Sequence, residues 1–446
     1  MRPSSRSIAI LVLAATATGC SRPQADAVAP PPVPAFVIPA RPTPAAGTPA
    51  ELQELADECF TAAEALVHER PRAVDGLLVL GDVHEQYGGT ETAIALWNRC
   101  LEIDPAFAVP LCRVAAAAAT RGDDATAIDR YRAALALDRD LSDAGLPLAA
   151  ALLRTGDAAA AADVGERVVA ARPEAIEGWC LLGKARLQQD DPRAAADAFR
   201  RAVAIDAESR EALQGLGTSL QRLGESDEAR VHLEAVARLQ SGREHGYDTA
   251  AAAAGDDRAP RERASAIRSR VARILAARGA AAAAEEGWRR AIELDPAAAE
   301  SREALATALA NRGQPAAALA VRVAWCEAEQ TNPAAWFGFA QLALRMGETQ
   351  KAEAALRVVM ALAPNRPEGY ALMAQLKKES DLDEAIMLAE RLVELAPSPA
   401  HLVFLAELRG RAGDRDGARA AARRALDLDP GDRAAAAVLR AVGAGP

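Results

Sequence analysis

From Val74 onward, apolar residues recur with a period close to 34 residues. Ten units begin at Val74, Ala108, Ser142, Ile176, Arg210, Ser265, Ala299, Pro333, Pro367 and Pro399. Positions 4, 7, 8 and 11, apolar in most units, share one face of a helix. Position 7 is always Leu, Val, Phe or Met, and position 8 is always Gly or Ala, from Gly81 to Ala406. With one deletion allowed in the ninth unit, position 20 is Ala all ten times, from Ala93 to Ala418. Small residues at 8 and 20 predict two helices whose axes approach closely there. A bulky residue near 24 (Trp97, Tyr131, Phe199, Trp288) fills the space beside that contact.

Stop signals bound both helices. Gly at position 15, as in Gly88, Gly122, Gly156, Gly224 and Gly413, ends the first in a left-handed conformation. A phrase ending in Asp-Pro ends the second: "LWNRCLEIDPAF" from Leu96, "GWRRAIELDPAA" from Gly287 and "AARRALDLDPGD" from Ala421. Proline cannot continue a helix and restricts the residue before it. The phrase also occurs with losses, as "AFRRAVAIDAES" from Ala198.

This period and these positions resemble the tetratricopeptide repeat family over about 340 residues. The third unit, with Gly145 and Gly165 at bulky positions, is degenerate but in phase. The resemblance implies an all-α fold, an α-solenoid in which helix-turn-helix repeats stack into a right-handed superhelix. Stacked repeats need covered ends. Glu51 to Arg70 reads as a helix over the first unit, and Arg433 to Val442 as one over the last. Residues 244–264 fit no unit and contain Gly246, Gly255 and Pro260, so an irregular linker is expected there. It divides residues 51–243, holding five repeats, from residues 265–446, holding the other five and the C-terminal capping helix.

Residues 1–20 form a targeting segment. Arg2 and Arg6 precede a short apolar run, Ile8 to Ala15, and small residues lead to Cys20. The "ATGC" ending resembles a bacterial lipoprotein signal, which implies lipid attachment at Cys20, although Ala17 stands where that family usually has Leu. An ordinary secretory signal is the other reading. Ser21 resembles the sorting signal for the outer membrane. Residues 21–50, dense in proline, read as a flexible linker between anchor and body.

Composition narrows the partner. A formal charge of −10 argues against nucleic acid and against an anionic membrane surface as the main target. The 48 arginines against four lysines, beside abundant alanine, fit a GC-rich coding bias. Charge differs between the blocks: Val74–Arg243 holds 19 basic and 27 acidic residues, Ser265–Asp432 holds 22 and 23.

Motifs for chemistry are missing from the sequence. It has no G-x-x-x-x-G-K-[ST], G-x-G-x-x-G, H-E-x-x-H or C-x-x-C. The five histidines are scattered, so neither metal nor cofactor is expected. His84 at position 11 reads as a packing residue. Besides Cys20 there are Cys59, Cys100, Cys112, Cys180 and Cys326, an odd number. A Cys100 bridge to Cys59 or to Cys112 remains conceivable, while Cys112 and Cys180 sit two units apart.

What remains is surface. In this family the first helices line the concave side through positions 2, 5, 9, 12 and 13. Here those include Asp75, Leu78, Asp82, Glu85, Glu177, Lys184, Glu211, Gln214, Glu303, Phe337, Gln341, Arg345 and Gln375. Such a groove suits an extended peptide or a partner helix. The expected function is a non-enzymatic scaffold or adaptor of the bacterial cell envelope, facing the periplasm from a lipid anchor. Alternatives are a regulatory or targeting subunit of an envelope enzyme or of a secretion or assembly complex, and a self-oligomerising structural component. Asp75, Asp82 and Glu85 share one helix, so a basic segment is expected to bind the first block. The second block, near neutral and offering Phe337, is expected to bind more through apolar contact.

Overall fold

The computed structural model describes residues 36–139, 141–246 and 258–443. The signal segment with Cys20, the linker residues 21–35 and residues 247–257 lie outside the described residues. The chain divides into Met1–Ile38 and a compact body, Pro39–Pro446.

The described residues form 22 helices and no strand. The body opens with α1 (Ala50–Glu69). Five hairpins follow: α2 (Val74–Gln86) with α3 (Thr90–Ile103), α4 (Ala108–Thr120) with α5 (Asp124–Leu137), α6 (Ser142–Arg154) with α7 (Ala158–Ala171), α8 (Ile176–Gln188) with α9 (Pro192–Ile205), and α10 (Arg210–Leu223) with α11 (Ser226–Gly246). The second block pairs α12 (Arg258–Ala277) with α13 (Ala281–Leu294), α14 (Ala299–Asn311) with α15 (Pro315–Ala328) and α16 (Pro333–Arg345) with α17 (Thr349–Leu362). It continues with α18 (Pro367–Lys377), α19 (Leu382–Leu395), α20 (Pro399–Arg411) and α21 (Arg415–Leu428), and α22 (Arg433–Gly443) closes it. Nine of the ten units begin at the first residue of a helix. The exception is the sixth, Ser265, which lies two turns inside α12.

The close approach of the paired helices has a direct steric signature. A β-carbon on Gly81 would lie 2.5 Å from Trp97 Nε1, and one on Gly183 would lie 2.6 Å from Phe199 Cε2. All ten alanines at position 20 are buried, none more than 1% exposed. Each hairpin turn is chemically specified as well. Gly88, Gly122 and Gly413 take φ of 90°, 78° and 84°, the left-handed region that glycine enters at little cost. In the fourth unit Asp190 holds that conformation at φ 60°. The aspartates that follow, Asp123, Asp157, Asp191 and Asp414, cap the next helix by accepting a backbone N–H three residues on.

The Asp-Pro stop depends on its aspartate as much as on its proline. Asp104, Asp295 and Asp429 each accept the N–H two residues on, at 3.1, 2.9 and 2.9 Å. Asp206, followed by alanine, accepts from Glu208 at 2.9 Å. This side-chain turn holds the chain out of the helix even where proline is missing.

Two expectations are corrected at the ends of the blocks. Residues 258–264, expected to be irregular, form the opening turns of α12, and Glu244–Gly246 belong to α11. The end of the proline-rich linker is also not a free spacer. Arg41 donates to Glu64 at 2.9 Å, to Asp57 at 2.9 Å and to Thr61 at 3.1 Å, and its guanidinium lies 5.5 Å from the centre of the Phe60 ring. Proline keeps residues 42–46 out of helix, and Arg41 fastens that segment to α1.

Candidate partner-binding surfaces

The first helix of the first unit is not open. Helix α12 lies against α1 and α2 as well as against its own partner α13, and it carries arginine to the carboxylates expected to face a ligand. Arg278, 4% exposed, donates to Asp75 at 2.7 Å, to Glu69 at 3.2 Å and to the Leu66 carbonyl at 3.1 Å. Asp82 pairs with Arg270 and with Arg113, the latter at 3.1 Å. Asp82 is only 12% exposed, so this double pairing is what makes its burial tolerable. Leu78 is buried and Glu85 half-buried.

The seam continues along α1. Arg290 grips Glu58 through two nitrogens at 3.0 Å, Arg268 reaches the same carboxylate at 3.5 Å, and Arg261 pairs with Glu51. Hydrogen bonding to Glu58 holds the Arg290 guanidinium above its ordinary range, whereas burial pushes that of Arg270 down. The acidic excess of the first block thus meets the chain's own basic helix. Sequence reading missed these arginines because "RAPRERASAIRSRVARILAARG" straddles the expected linker and the sixth unit. Its seven arginines against one glutamate were the available signal.

Farther along the first block the expected groups are on the surface. Glu177, Lys184, Glu211 and Gln214 are all exposed on α8 and α10. Lys184 Nζ lies 2.6 Å from Glu211 Oε1, so adjacent first helices do present these positions on one face. Glu211 and Gln214 also line an open cleft of about 890 Å3 between α10 and α11.

In the second block, Glu303 is tied to Arg322, a buried arginine of α15 whose guanidinium lies 5.6 Å from the Trp325 ring centre. Phe337 is half-buried and packs on the cluster of Trp325, Phe339 and Met373. Gln341 and Arg345 on α16 and Gln375 on α18 are exposed. The arrangement offers an aromatic edge flanked by amides and one guanidinium.

His84 is 1% exposed, its ring centre 4.9 Å from that of Phe60 in an edge-on contact, and burial lowers its pKa below 6.5. Cys59, Cys100, Cys112, Cys180 and Cys326 are buried, and none of them is in a disulfide. Burial raises Cys59 to about 11 and Cys100 to about 12, out of the range of reactive thiolates. Among the described residues no group of three or more His, Cys, Asp or Glu side chains could hold a metal ion, and no helix is long and apolar enough to cross a membrane.

These features define an all-α solenoid of stacked helix pairs. Its repeats belong to a known kind: residues 176–209, the whole of the fourth unit, and residues 323–376, around the eighth, each match the tetratricopeptide repeat family. The chain is a tetratricopeptide-repeat protein, a fold of protein-interaction scaffolds. No curated protein sequence matches it. Among solved structures it is similar to MamA (residues 41 to the end) from Desulfovibrio magneticus RS-1, at 25% identity and a TM-score of 0.35 over 36% of this chain and 92% of that one. YrrB, described as a tetratricopeptide-repeat protein with an unusual peptide-binding site, is 16% identical with a TM-score of 0.38, over 40% and 92%. Yeast Tom70 is 16% identical with a TM-score of 0.35, over 83% and 95%.

Proposed function

We propose that the protein is a non-enzymatic adaptor of the bacterial cell envelope, lipid-anchored through Cys20 and facing the periplasm, that binds an extended peptide or a helix of another protein. The observation that carries the binding part is the contrast between its first helices. Those of the first unit are covered by α12, while α8, α10, α16 and α18 keep their groove positions exposed, and α16 adds the half-buried Phe337. A partner therefore docks on the later units of each block. Phe337 supplies the apolar anchor, and Gln341, Arg345 and Gln375 supply hydrogen bonds beside it. The envelope part rests on the resemblance of residues 1–20 to a lipoprotein signal.

The test is co-purification from detergent-solubilised envelope with the full chain and two variants. Phe337→Ala together with Arg345→Glu should lose the partner, while Asp75→Asn should retain it. Equal recovery with the Phe337/Arg345 variant would refute docking on α16.

A further inference from the structure

The seam between the blocks contains a cavity of about 480 Å3, within the range of sites that hold small ligands. Three parts of the chain build it. Leu52 and Phe60 of α1 line one side, Tyr87 at the end of α2 another, and Pro42 and Pro44 of the fastened N-terminal segment a third. Arg263 of α12 completes the lining. Its walls are mainly aliphatic, aromatic and prolyl, and proline holds one of them without needing the backbone N–H groups that a helix would satisfy.

The polar groups here are few and their state is informative. Arg41 is already neutralised by Glu64 and Asp57. Asp57, the one carboxylate in the lining, is thereby engaged. Arg263 forms no ion pair with any described residue, alone among the cavity's charged groups in this. Gln86, also in the lining, has its side-chain Nε2 buried beside the Tyr87 hydroxyl, with no hydrogen bond of good geometry. A buried amide donor without a well-formed hydrogen bond costs free energy that an acceptor from a ligand would recover. An apolar cavity with the exposed Arg263 guanidinium at its rim and a poorly paired amide N–H inside suits a molecule with an apolar body and an acceptor anion at one end.

We propose that this cavity binds a small amphipathic carboxylate, its chain against Leu52, Phe60 and Tyr87, its carboxylate accepting from Gln86 Nε2 and Arg263. Because α1, α2 and α12 all contribute, the bound molecule holds the two blocks together. This site is separate from the first-helix surfaces, so it stands or falls independently of the adaptor reading.

The test is calorimetric titration of the full chain with decanoate, and with 1-decanol as the same chain lacking the charge. Decanoate should bind one per protein, and decanol at least ten-fold more weakly. Gln86→Leu and Arg263→Gln should each weaken decanoate several-fold, and Ala56→Trp, which fills the cavity from α1, should abolish binding. Circular dichroism establishes that each variant is folded. Equal affinity for decanoate and decanol, no decanoate binding, or undiminished binding in folded Ala56→Trp would each overturn the proposal. Uptake of an apolar C-terminal peptide in place of decanoate would reassign the cavity to protein docking and overturn it equally.

Discussion

The indole of Trp97 occupies the space a side chain on Gly81 would need: a β-carbon there would lie 2.5 Å from Nε1 and 2.7 Å from Cδ1. Trp97 is 2% exposed and cannot swing away without opening the first hairpin. Gly81→Ala is therefore expected to destabilise by about 1–3 kcal/mol, as overpacking does in tight cores. Chemical denaturation measures it, and a neutral result would mean that the hairpin closes less tightly in solution.

Asp190 sits at φ 60°, where eight other units have glycine at positive φ. A residue with a β-carbon is strained there by about 1 kcal/mol. Asp190→Gly should stabilise the protein by up to that amount, since its only ion pair among the described residues, to Arg222 at 3.9 Å, is on the open surface. Failure of the melting temperature to rise would show that the aspartate carboxylate compensates locally.

Arg278 is the most enclosed of the seam arginines, and its loss removes hydrogen bonds to the Leu66 carbonyl, Glu69 and Asp75 at once. Arg278→Ala should cost about 2 kcal/mol locally, the scale of hydrogen bonds to a charged group. Amide exchange should quicken in α1, α2 and α12 and stay unchanged in α4 to α9, because each repeat contacts mainly its neighbours. Uniform acceleration along the chain would contradict a separable seam.

His84 gives the first block a pH dependence of definite sign. Its folded pKa lies below 6.5, so the unfolded chain binds the proton more readily. The stability it contributes is complete above pH 6.5 and is lost as pH falls from there through the lowered folded value. His84→Phe should flatten the melting temperature between about pH 6.5 and pH 5, above the carboxylate range. An unchanged slope would remove His84 as its source.

The proposed anchor is tested by fractionation. Cys20→Ser should move the protein from the membrane pellet to the soluble fraction. Its retention in a pellet washed free of peripheral proteins would end the lipoprotein reading.

Much of the fold was legible because its signals are local. Helix starts, glycine turns and the alanine row follow from residues within one 34-residue unit, and the capping helix predicted at Glu51 starts at Ala50. The seam was not legible, because it joins residues about 200 positions apart, such as Asp75 and Arg278, which no period relates. The same blindness affected the surface. Asp75 and Asp82 have the spacing of a ligand-binding row, and only the tertiary structure shows that Arg270 of α12, Arg278 just past its end, and Arg113 already satisfy them. Gln341 and Gln375 are exposed, as residues at repeat positions off the apolar face are expected to be. The role of Asp206 was hidden behind the proline that usually follows such an aspartate.

Arg41 gives the body an unusual point of attachment. Any pull arriving along the chain from before Pro39 meets the fold first at the clamp on Glu64, Asp57 and Thr61, and so is delivered to α1. That helix packs against both α2 and α12. Tension is therefore shared by both arrays from their common root, instead of peeling one array open repeat by repeat from a free end.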